Sequence, residues 1–202
     1  MNSRPDFIAH WATLEDPEVH HYAGDDEPMS FDAPIGERLG LSRIGIHHVR
    51  VPPGRRTSYP HAESAEEEFV FVLKGRPDAW IDGVLYPLEV GDSVGLPAGT
   101  GICHSILNNT TEEVRLLVVG DRPQPENRIR YPLNEEHEAT REDRWCDAPE
   151  RVMGSHDGHA RLGSKAALKI GTSMVEMFRA AGGVDLDIVR DCKPSPPIDF
   201  GD

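Results

Sequence analysis

Turn-forming residues divide residues 41–120 into short hydrophobic segments, and this spacing constrains the fold more than any other feature of the chain. Pro52-Pro53-Gly54, Asp82-Gly83 and Pro97-Ala98-Gly99 each end or join a segment rich in branched or aromatic residues. Asp82-Gly83 is a two-residue hairpin signal, because that turn needs positive φ and glycine adopts it freely. Turns recur about every 8–12 residues, which is typical of all-β sandwiches and barrels. We therefore predict roughly eight short strands without strand–helix alternation.

The flanking segments are polar and rich in proline, which distinguishes them from this β-rich core. We predict that residues 1–38 form an arm, with a short helix near Phe7–Leu14, that packs on the core or on a second subunit. The core is predicted to span residues 39–122. Residues 123–202 are predicted to be a C-terminal extension that packs on the core or on a partner.

The C-terminal extension contains one clear helix signal. Ser173-Met174-Val175-Glu176 has the capping-box pattern, and Gly182-Gly183 follows six residues after Glu176. The pattern predicts a short helix over Met174–Ala181, whose apolar residues fall on one face.

Composition excludes several classes of protein. The 202 residues include 35 Asp and Glu against 21 Lys and Arg, a formal net charge of -14. Such a chain repels phosphate backbones, so no nucleic-acid partner is expected. Three cysteines without Cys-x-x-Cys spacing argue against a disulfide framework and fit a reducing compartment. No apolar run reaches about 18 residues, so we expect no membrane span and a cytoplasmic location.

Histidine and carboxylate residues cluster in the segment Gly54-x6-His61-x-Glu63-x4-Glu68-x6-Gly75. Alternate side chains of a strand face the same way, so His61 and Glu63 are expected to point to one side. A turn before Glu68 would bring its carboxylate to the same interior point. Imidazole and carboxylate groups in such a cluster suit Zn, Fe, Mn, Ni or Cu.

A second segment, Gly91-x5-Pro97-x-Gly99-x4-His104-x3-Asn108, offers one more imidazole from a facing strand. Together the two segments resemble the two motifs of the cupin family. The resemblance implies an all-β double-stranded β-helix, a jelly-roll barrel with its site inside. Cupins often pair through edge strands, which also covers the exposed edges, so the resemblance implies a homodimer.

The resemblance also assigns the candidate residues. By position, His61 and His104 match the histidines of the two motifs, and Glu68 matches the motif glutamate. Glu63 departs from the pattern, since it stands where a complete cupin metal set has its second histidine. The spacing between Gly99 and His104 also departs, with four residues instead of two. The implied metal site is therefore His61, Glu63, Glu68 and His104, and its two carboxylates favour Zn, Mn or Fe over Cu.

A wider resemblance, over residues 5–158, is to cupin domain-containing proteins of unassigned role. Those proteins share the His-Ala-Glu sequence, a Tyr131-Pro132-Leu133-Asn134 segment and a Gly154-x-His156-Asp157-Gly158 segment.

Three functions follow from these residues. The first is a metal-dependent dioxygenase, isomerase or lyase acting on a small organic molecule. The second is a metal-free pocket in which Glu63, Glu68 and His104 perform acid–base isomerisation or cyclisation; the two carboxyls would share a proton and one pKa would rise. The third is non-catalytic binding of a small molecule, since a fold alone does not give a function.

Other polar residues near the motifs have simpler interpretations. His47 and His48 are adjacent, so only one can face the interior, and either is expected to be a paired histidine of the core or surface. Tyr59 shares the strand parity of His61 and is a candidate pocket residue. Cys103 is expected to face away from the site.

Overall fold

The computed structural model describes residues 4–162, and within them the chain forms three antiparallel sheets. The strands of this part of the chain are β1 Phe31–Ala33, β2 Ile44–Val51, β3 Ala62–Glu63, β4 Glu68–Lys74, β5 Asp78–Ile81, β6 Val84–Pro87, β7 Ser93–Leu96, β8 His104–Leu107, β9 Val114–Asp121 and β10 Ile129–Arg130. The largest sheet has the order β1-β2-β9-β4-β7, and the others have the orders β6-β5-β8 and β10-β3. The predicted all-β fold is confirmed.

Helices are few and short among the described residues. The helix predicted near Phe7–Leu14 is reduced to one 3₁₀ turn at Trp11–Thr13, with the His10 side chain accepting a hydrogen bond from the Ala12 amide. Two other helices are α1, Ile35–Arg38, and α2, Glu135–Ala139. None of the helices in residues 4–162 is long and apolar enough to cross a membrane. The predicted helix Met174–Ala181 lies outside the described residues.

The hairpin between β5 and β6 forms where its turn chemistry predicts it. Ile81 pairs with Val84, so Asp82 and Gly83 make the two-residue turn. Both have positive φ, 46° and 82° respectively. Glycine adopts this conformation without strain, and Asp is one of the few other residues that tolerates it.

The main hydrophobic core lies between the five-stranded and three-stranded sheets. Its members are alternate, inward-facing residues of the facing strands: Val49, Val51, Val70, Val72, Ala79, Ile106, Val114 and Leu116. Burying one such Val or Leu side chain contributes about 1.5–3 kcal/mol. A one-residue slip in register would turn these side chains to solvent and lose that energy. The alternation along β2 and β4 therefore determines which of their residues face the interior.

The N-terminal arm is fastened to this core at several points. β1 pairs with β2, with Asp32 opposite Val49. Arg56, only 1% exposed, donates two hydrogen bonds to the Glu27 carboxylate, at 2.9 and 2.6 Å. Its remaining terminal nitrogen Nη1 donates to the Gly158 carbonyl oxygen at 2.9 Å. One buried guanidinium thus joins the arm, the core and the segment around residue 158.

The segment around residue 154 lies across the β5–β6 turn. The Gly154 amide donates to the Asp82 carbonyl oxygen at 2.6 Å. A Cβ atom on Gly154 would lie 2.4 Å from the Gly83 carbonyl oxygen, so the two backbones approach as closely as glycine allows. The Trp80 indole N–H, fully buried, donates to the His156 carbonyl oxygen at 2.9 Å.

Candidate functional site

The two motif histidines meet at the start of β8. His61 precedes β3 and pairs with His104 through two backbone hydrogen bonds, 3.2 and 2.9 Å long. This pairing brings the imidazole ring centroids to 4.7 Å from each other. Glu68 is the first residue of β4 and places its carboxylate beside the second ring. The structure therefore brings three of the four predicted residues together.

Glu68 and His104 form a buried ion pair. Glu68 Oε1 lies 3.4 Å from His104 Nε2, and the His104 side chain is only 5% exposed. Burial lowers the pKa of His104, but the interaction with Glu68 outweighs it and raises the pKa above its usual value. Burial raises the pKa of Glu68, yet His104 and His61 hold the pKa below its usual value. Nε2 of His104 is close enough to Glu68 for charge attraction but is not aligned for a hydrogen bond. This atom has no other hydrogen-bond partner among the described residues.

His61 is neutral and its tautomer is defined. Its Nδ1 lies 2.8 Å from the Tyr59 carbonyl oxygen, which can only accept, so Nδ1 carries the proton. The Nε2 atom is therefore left with a lone pair. Burial, and then the charge of His104, lowers the pKa of His61 to about 4. His61 is therefore uncharged at neutral pH and presents the Nε2 lone pair as a hydrogen-bond acceptor.

Glu63 lies beside Glu68 and His104 at the small cavity but does not line the larger cavity with His61. The Asn127 side-chain amide donates to its Oε1 at 3.5 Å. Burial, then the charges of Glu66 and Glu68, raises the pKa of Glu63 to about 7. No hydrogen bond joins Glu63 to Glu68 among the described residues, while the raised pKa predicted for one carboxyl of this pair is found at Glu63.

In the described part of the chain, Glu68 lines three cavities; one of them, about 420 Å³, contains none of the other three candidates, and the other two contain all four candidates between them. The larger has a volume of about 630 Å³ and is lined by Asp16, Pro17, Glu18, His20, Ser30, Asp32, His47, Val49, Thr57, Ser58, His61, Glu68, Val70, Ile106 and Val118. The smaller, about 10 Å³, is lined by Glu63, Glu66, Glu68, Leu96, Pro97, Thr100, Ile102 and His104. The larger volume is in the range of small-molecule sites, whereas the smaller holds at most about one water. Of the four candidates, His61 and Glu68 face the larger cavity.

Asp32 and His47 are site residues that the sequence interpretation did not identify. Nδ1 of His47 lies 2.8 and 3.0 Å from the two Asp32 carboxylate oxygens. Both side chains line the larger cavity. The one available signal was parity: His47 alternates with Val49 and Val51 along β2, so of the adjacent pair His47 and His48 it is the inward one.

The domain containing these motifs can be assigned. Residues 47–120 match the family model Cupin_2, the cupin domain. The chain carries a cupin domain. The family predicted from the two motifs is confirmed, although the match does not test the His-x-Glu detail of the first motif.

Several solved structures are similar to parts of the chain. A proposed sugar phosphate isomerase of Acidithiobacillus ferrooxidans is 34% identical, covers 51% of this chain and 65% of its own length, less than two thirds, with a TM-score of 0.49. A cupin-superfamily sugar phosphate isomerase of Silicibacter pomeroyi is 29% identical over 56% of this chain and 76% of its own, with a TM-score of 0.49. The polyketide cyclase RemF of Streptomyces resistomycificus is 19% identical over 65% of this chain and 86% of its own, with a TM-score of 0.48. No curated protein matches the chain.

The predicted cupin metal site does not fit the side chains as they lie. Within residues 4–162, no group of three or more His, Cys, Asp or Glu side chains is arranged to hold a metal ion. The Glu63 carboxylate contacts Asn127, whereas the bond from Nδ1 of His61 to a backbone carbonyl leaves its Nε2 available to a ligand. A Zn, Mn or Fe site at His61, Glu63, Glu68 and His104 stays a prediction.

The remaining candidates lie away from the larger cavity. His48 is buried and stacks on Trp11 of the arm, with ring centroids 4.0 Å apart. Tyr59 stacks on Tyr22, 3.8 Å between centroids, and does not line the cavity. Cys103 is buried beside Trp80, and burial raises the pKa of its thiol to about 12, which makes it a poor nucleophile.

Proposed function

We propose that this cupin protein is a metal-independent isomerase or cyclase that performs acid–base chemistry on a small uncharged organic molecule in the larger cavity. The observation that carries the proposal is the position of Glu68. Its carboxylate faces the cavity and lies 3.4 Å from the imidazole of His104 behind it. An ionised carboxylate held in this way, facing a substrate, is suited to act as a general base.

His61 supports this chemistry from the same wall of the cavity. Its Nδ1–H is fixed on the Tyr59 carbonyl oxygen, which leaves Nε2 as a hydrogen-bond acceptor. Glu68 can therefore take a proton and His61 can accept a hydrogen bond from the substrate, while His104 stabilises the charge on Glu68. In this proposal the catalytic groups are Glu68 and His61, with His104 as a positioning residue, and Glu63 lies outside the cavity.

The charges of the cavity favour an uncharged substrate. Its lining residues within the described part of the chain include no Lys or Arg. The cations nearby are already paired: His47 with Asp32 at 2.8 Å, and Arg38 with Asp16 at 2.8 Å. A phosphate or carboxylate group would find no Lys or Arg among the described lining residues and would be repelled by the Glu68 carboxylate. We therefore expect a hydroxyl- or carbonyl-bearing molecule.

Hydrogen–deuterium exchange on a small hydroxyketone tests the proposal. Dihydroxyacetone is uncharged and has C–H bonds next to a carbonyl, so base catalysis in D2O replaces their protons with deuterium. We expect EDTA-treated wild-type protein to accelerate the exchange, measured by ¹H NMR. Glu68→Gln should lower the rate by about 100-fold, and Glu89→Gln, at an exposed carboxylate, should leave it unchanged. If the wild-type protein exchanges the protons no faster than buffer alone, the proposed enzymatic function is refuted and non-catalytic binding is favoured.

A metal-dependent dioxygenase, isomerase or lyase is a second proposal, favoured by one observation. Nε2 of His104 is buried without a hydrogen-bond partner among the described residues, and such an atom is available to a ligand. Elemental analysis of protein purified without added metal separates the two proposals. About one Zn, Mn or Fe per chain, lost in both Glu63→Gln and Glu68→Gln, would support the metal site; metal far below that, with exchange unaffected by EDTA, would support acid–base chemistry alone.

A further inference from the structure

The Asp32–His47 pair lies outside both cupin motifs and yet lines the same cavity as Glu68. Asp32 comes from β1 of the arm, and His47 from β2 of the core. The side chains are 34% and 36% exposed, so both are open to a molecule in the cavity. A pair formed only to tie β1 to β2 would not need to face a cavity of about 630 Å³.

In the large sheet, one strand, β9, separates the strand of His47 from the strand of Glu68. His47 lies opposite Val118 of β9, which in turn lies opposite Val70 of β4. Glu68 is two residues before Val70, so it faces the same side of the sheet. Neighbouring strands are about 4.8 Å apart and two residues along a strand add about 7 Å, so the Cα atoms of His47 and Glu68 lie about 12 Å apart, a gap that the two side chains and a small organic molecule span.

The electrostatic surroundings keep His47 able to donate a proton. The hydrogen bond to Asp32 raises the pKa of His47; burial opposes this rise, and the charges of Asp32 and Glu68 add to it. Arg122, after β9, lowers the pKa slightly. The arm residues Asp16, Glu18 and His20 also line this cavity. Because Nδ1–H of His47 is hydrogen-bonded to Asp32, the proton that protonated His47 can donate to a substrate is the one on Nε2.

We propose that His47, positioned by Asp32, is the general acid that complements Glu68 in a substrate with a carbonyl oxygen and an adjacent C–H bond. This inference rests on the proposed function of Glu68. The C–H proton passes to the Glu68 carboxylate, and the C–H electron pair becomes the C=C bond of an enol. The carbonyl π pair takes the proton from Nε2 of His47. Where the carbon that lost its proton also carries a hydroxyl, the Glu68 proton passes to the former carbonyl carbon and that hydroxyl gives its proton to Nε2 of His47, so the isomer forms with no net gain or loss of protons or electrons.

The dihydroxyacetone exchange assay tests this inference with a matched set of variants. His47→Gln and Asp32→Asn are compared with Glu15→Gln, which removes another arm–core ion pair, Arg50–Glu15 at 2.6 Å, that does not line the cavity. We expect His47→Gln to slow the exchange at least tenfold, with Glu15→Gln unchanged. Because loss of Asp32 lowers the pKa of His47, Asp32→Asn should shift the alkaline limb of the pH–rate profile to lower pH. A pair with a purely structural role would not move that limb.

The outcomes separate this inference from the function on which it rests. If Glu68→Gln abolishes exchange but His47→Gln does not, the general base stands and the general acid is overturned. If the wild-type protein gives no exchange, the proposed function is refuted, and this inference, which rests on it, is refuted as well. Circular dichroism and thermal unfolding of each variant show whether it is folded; should His47→Gln not fold, His47→Asn and the Asp32→Asn pH profile decide the question.

Discussion

Replacing Glu63 by Gln should stabilise the protein at neutral and alkaline pH. Burial, with the charges of Glu66 and Glu68, raises the pKa of Glu63 from 4.5 to about 7. Ionising this carboxyl in the folded state therefore costs free energy that the unfolded chain does not incur. Gln has the same shape and keeps an oxygen that can accept from Asn127, but it carries no charge.

The size and sign of the effect follow from the linkage between protonation and folding. Below pH 4.5 the carboxyl is neutral in both states, so the substitution should change little. As the pH rises from 4.5 to 7, the unfolded chain ionises and the folded one resists, and the wild type loses stability. A pKa rise of that size corresponds to about 3 kcal/mol at about 1.4 kcal/mol per pKa unit. Solvent screening of a partly exposed group reduces this, and a gain of about 1–3 kcal/mol is expected at pH 8.

Urea denaturation of wild type and Glu63→Gln at pH 4.5 and pH 8 measures the effect. The free energies of unfolding should be nearly equal at pH 4.5 and differ in favour of the variant at pH 8. Glu89→Gln, at an exposed carboxylate, is the control and should show no such pH-dependent gain. Equal stability of Glu63→Gln and wild type at both pH values, or a loss at pH 8, would refute the argument. A loss seen only with Zn, Mn or Fe present would instead identify Glu63 as a metal ligand.

Further predictions concern the packing around the cavity. Arg56→Met should lower the free energy of unfolding by about 3 kcal/mol, because it leaves Glu27 and the Gly158 carbonyl without their buried donor; urea denaturation checks this, and a loss below about 0.5 kcal/mol would contradict it. Gly154→Ala should cost about 1–3 kcal/mol, since the methyl group would overlap the Gly83 carbonyl; Gly95→Ala, where nothing lies within 4 Å, is the control, and equal melting temperatures for the two variants would count against the argument. Trp80→Phe should cost about 1 kcal/mol through the lost bond to His156 in addition to lost packing. The homodimer expected from the family resemblance stays a prediction, which analytical ultracentrifugation of the full chain would test.

Much of the core could be predicted because its signals are local. Asp82-Gly83 specifies the β5–β6 turn, and the alternation of Val49, Val51 and their partners specifies which face is buried. β1 gave no such signal: three residues, Phe31–Ala33, are too few to show a period, and they are a strand because β2 offers them an unpaired edge. The Asp32–His47 pair depends on that strand pairing, so it could not be found from sequence separation.

The candidate site shows where strand parity is an insufficient guide. His61 and Glu63 were predicted to point together because they are two residues apart. Strand β3 contains only Ala62 and Glu63, however, and Glu63 pairs with Ile129 of β10 while His61 pairs with His104. The two residues lie against different neighbours, so one faces the larger cavity and the other the small pocket. A period of two holds only along a continuous ladder.

The origin of the cavity wall has a consequence for how this protein could acquire a new specificity. Six of the fifteen lining residues, Asp16, Pro17, Glu18, His20, Ser30 and Asp32, precede residue 47, where the cupin match begins. They sit on a segment that contributes none of the valines of the main core. Part of the arm can therefore be treated as exchangeable: replacing residues 16–20, while keeping Glu27 and Met29 that fasten the arm to the core, would reshape the binding surface.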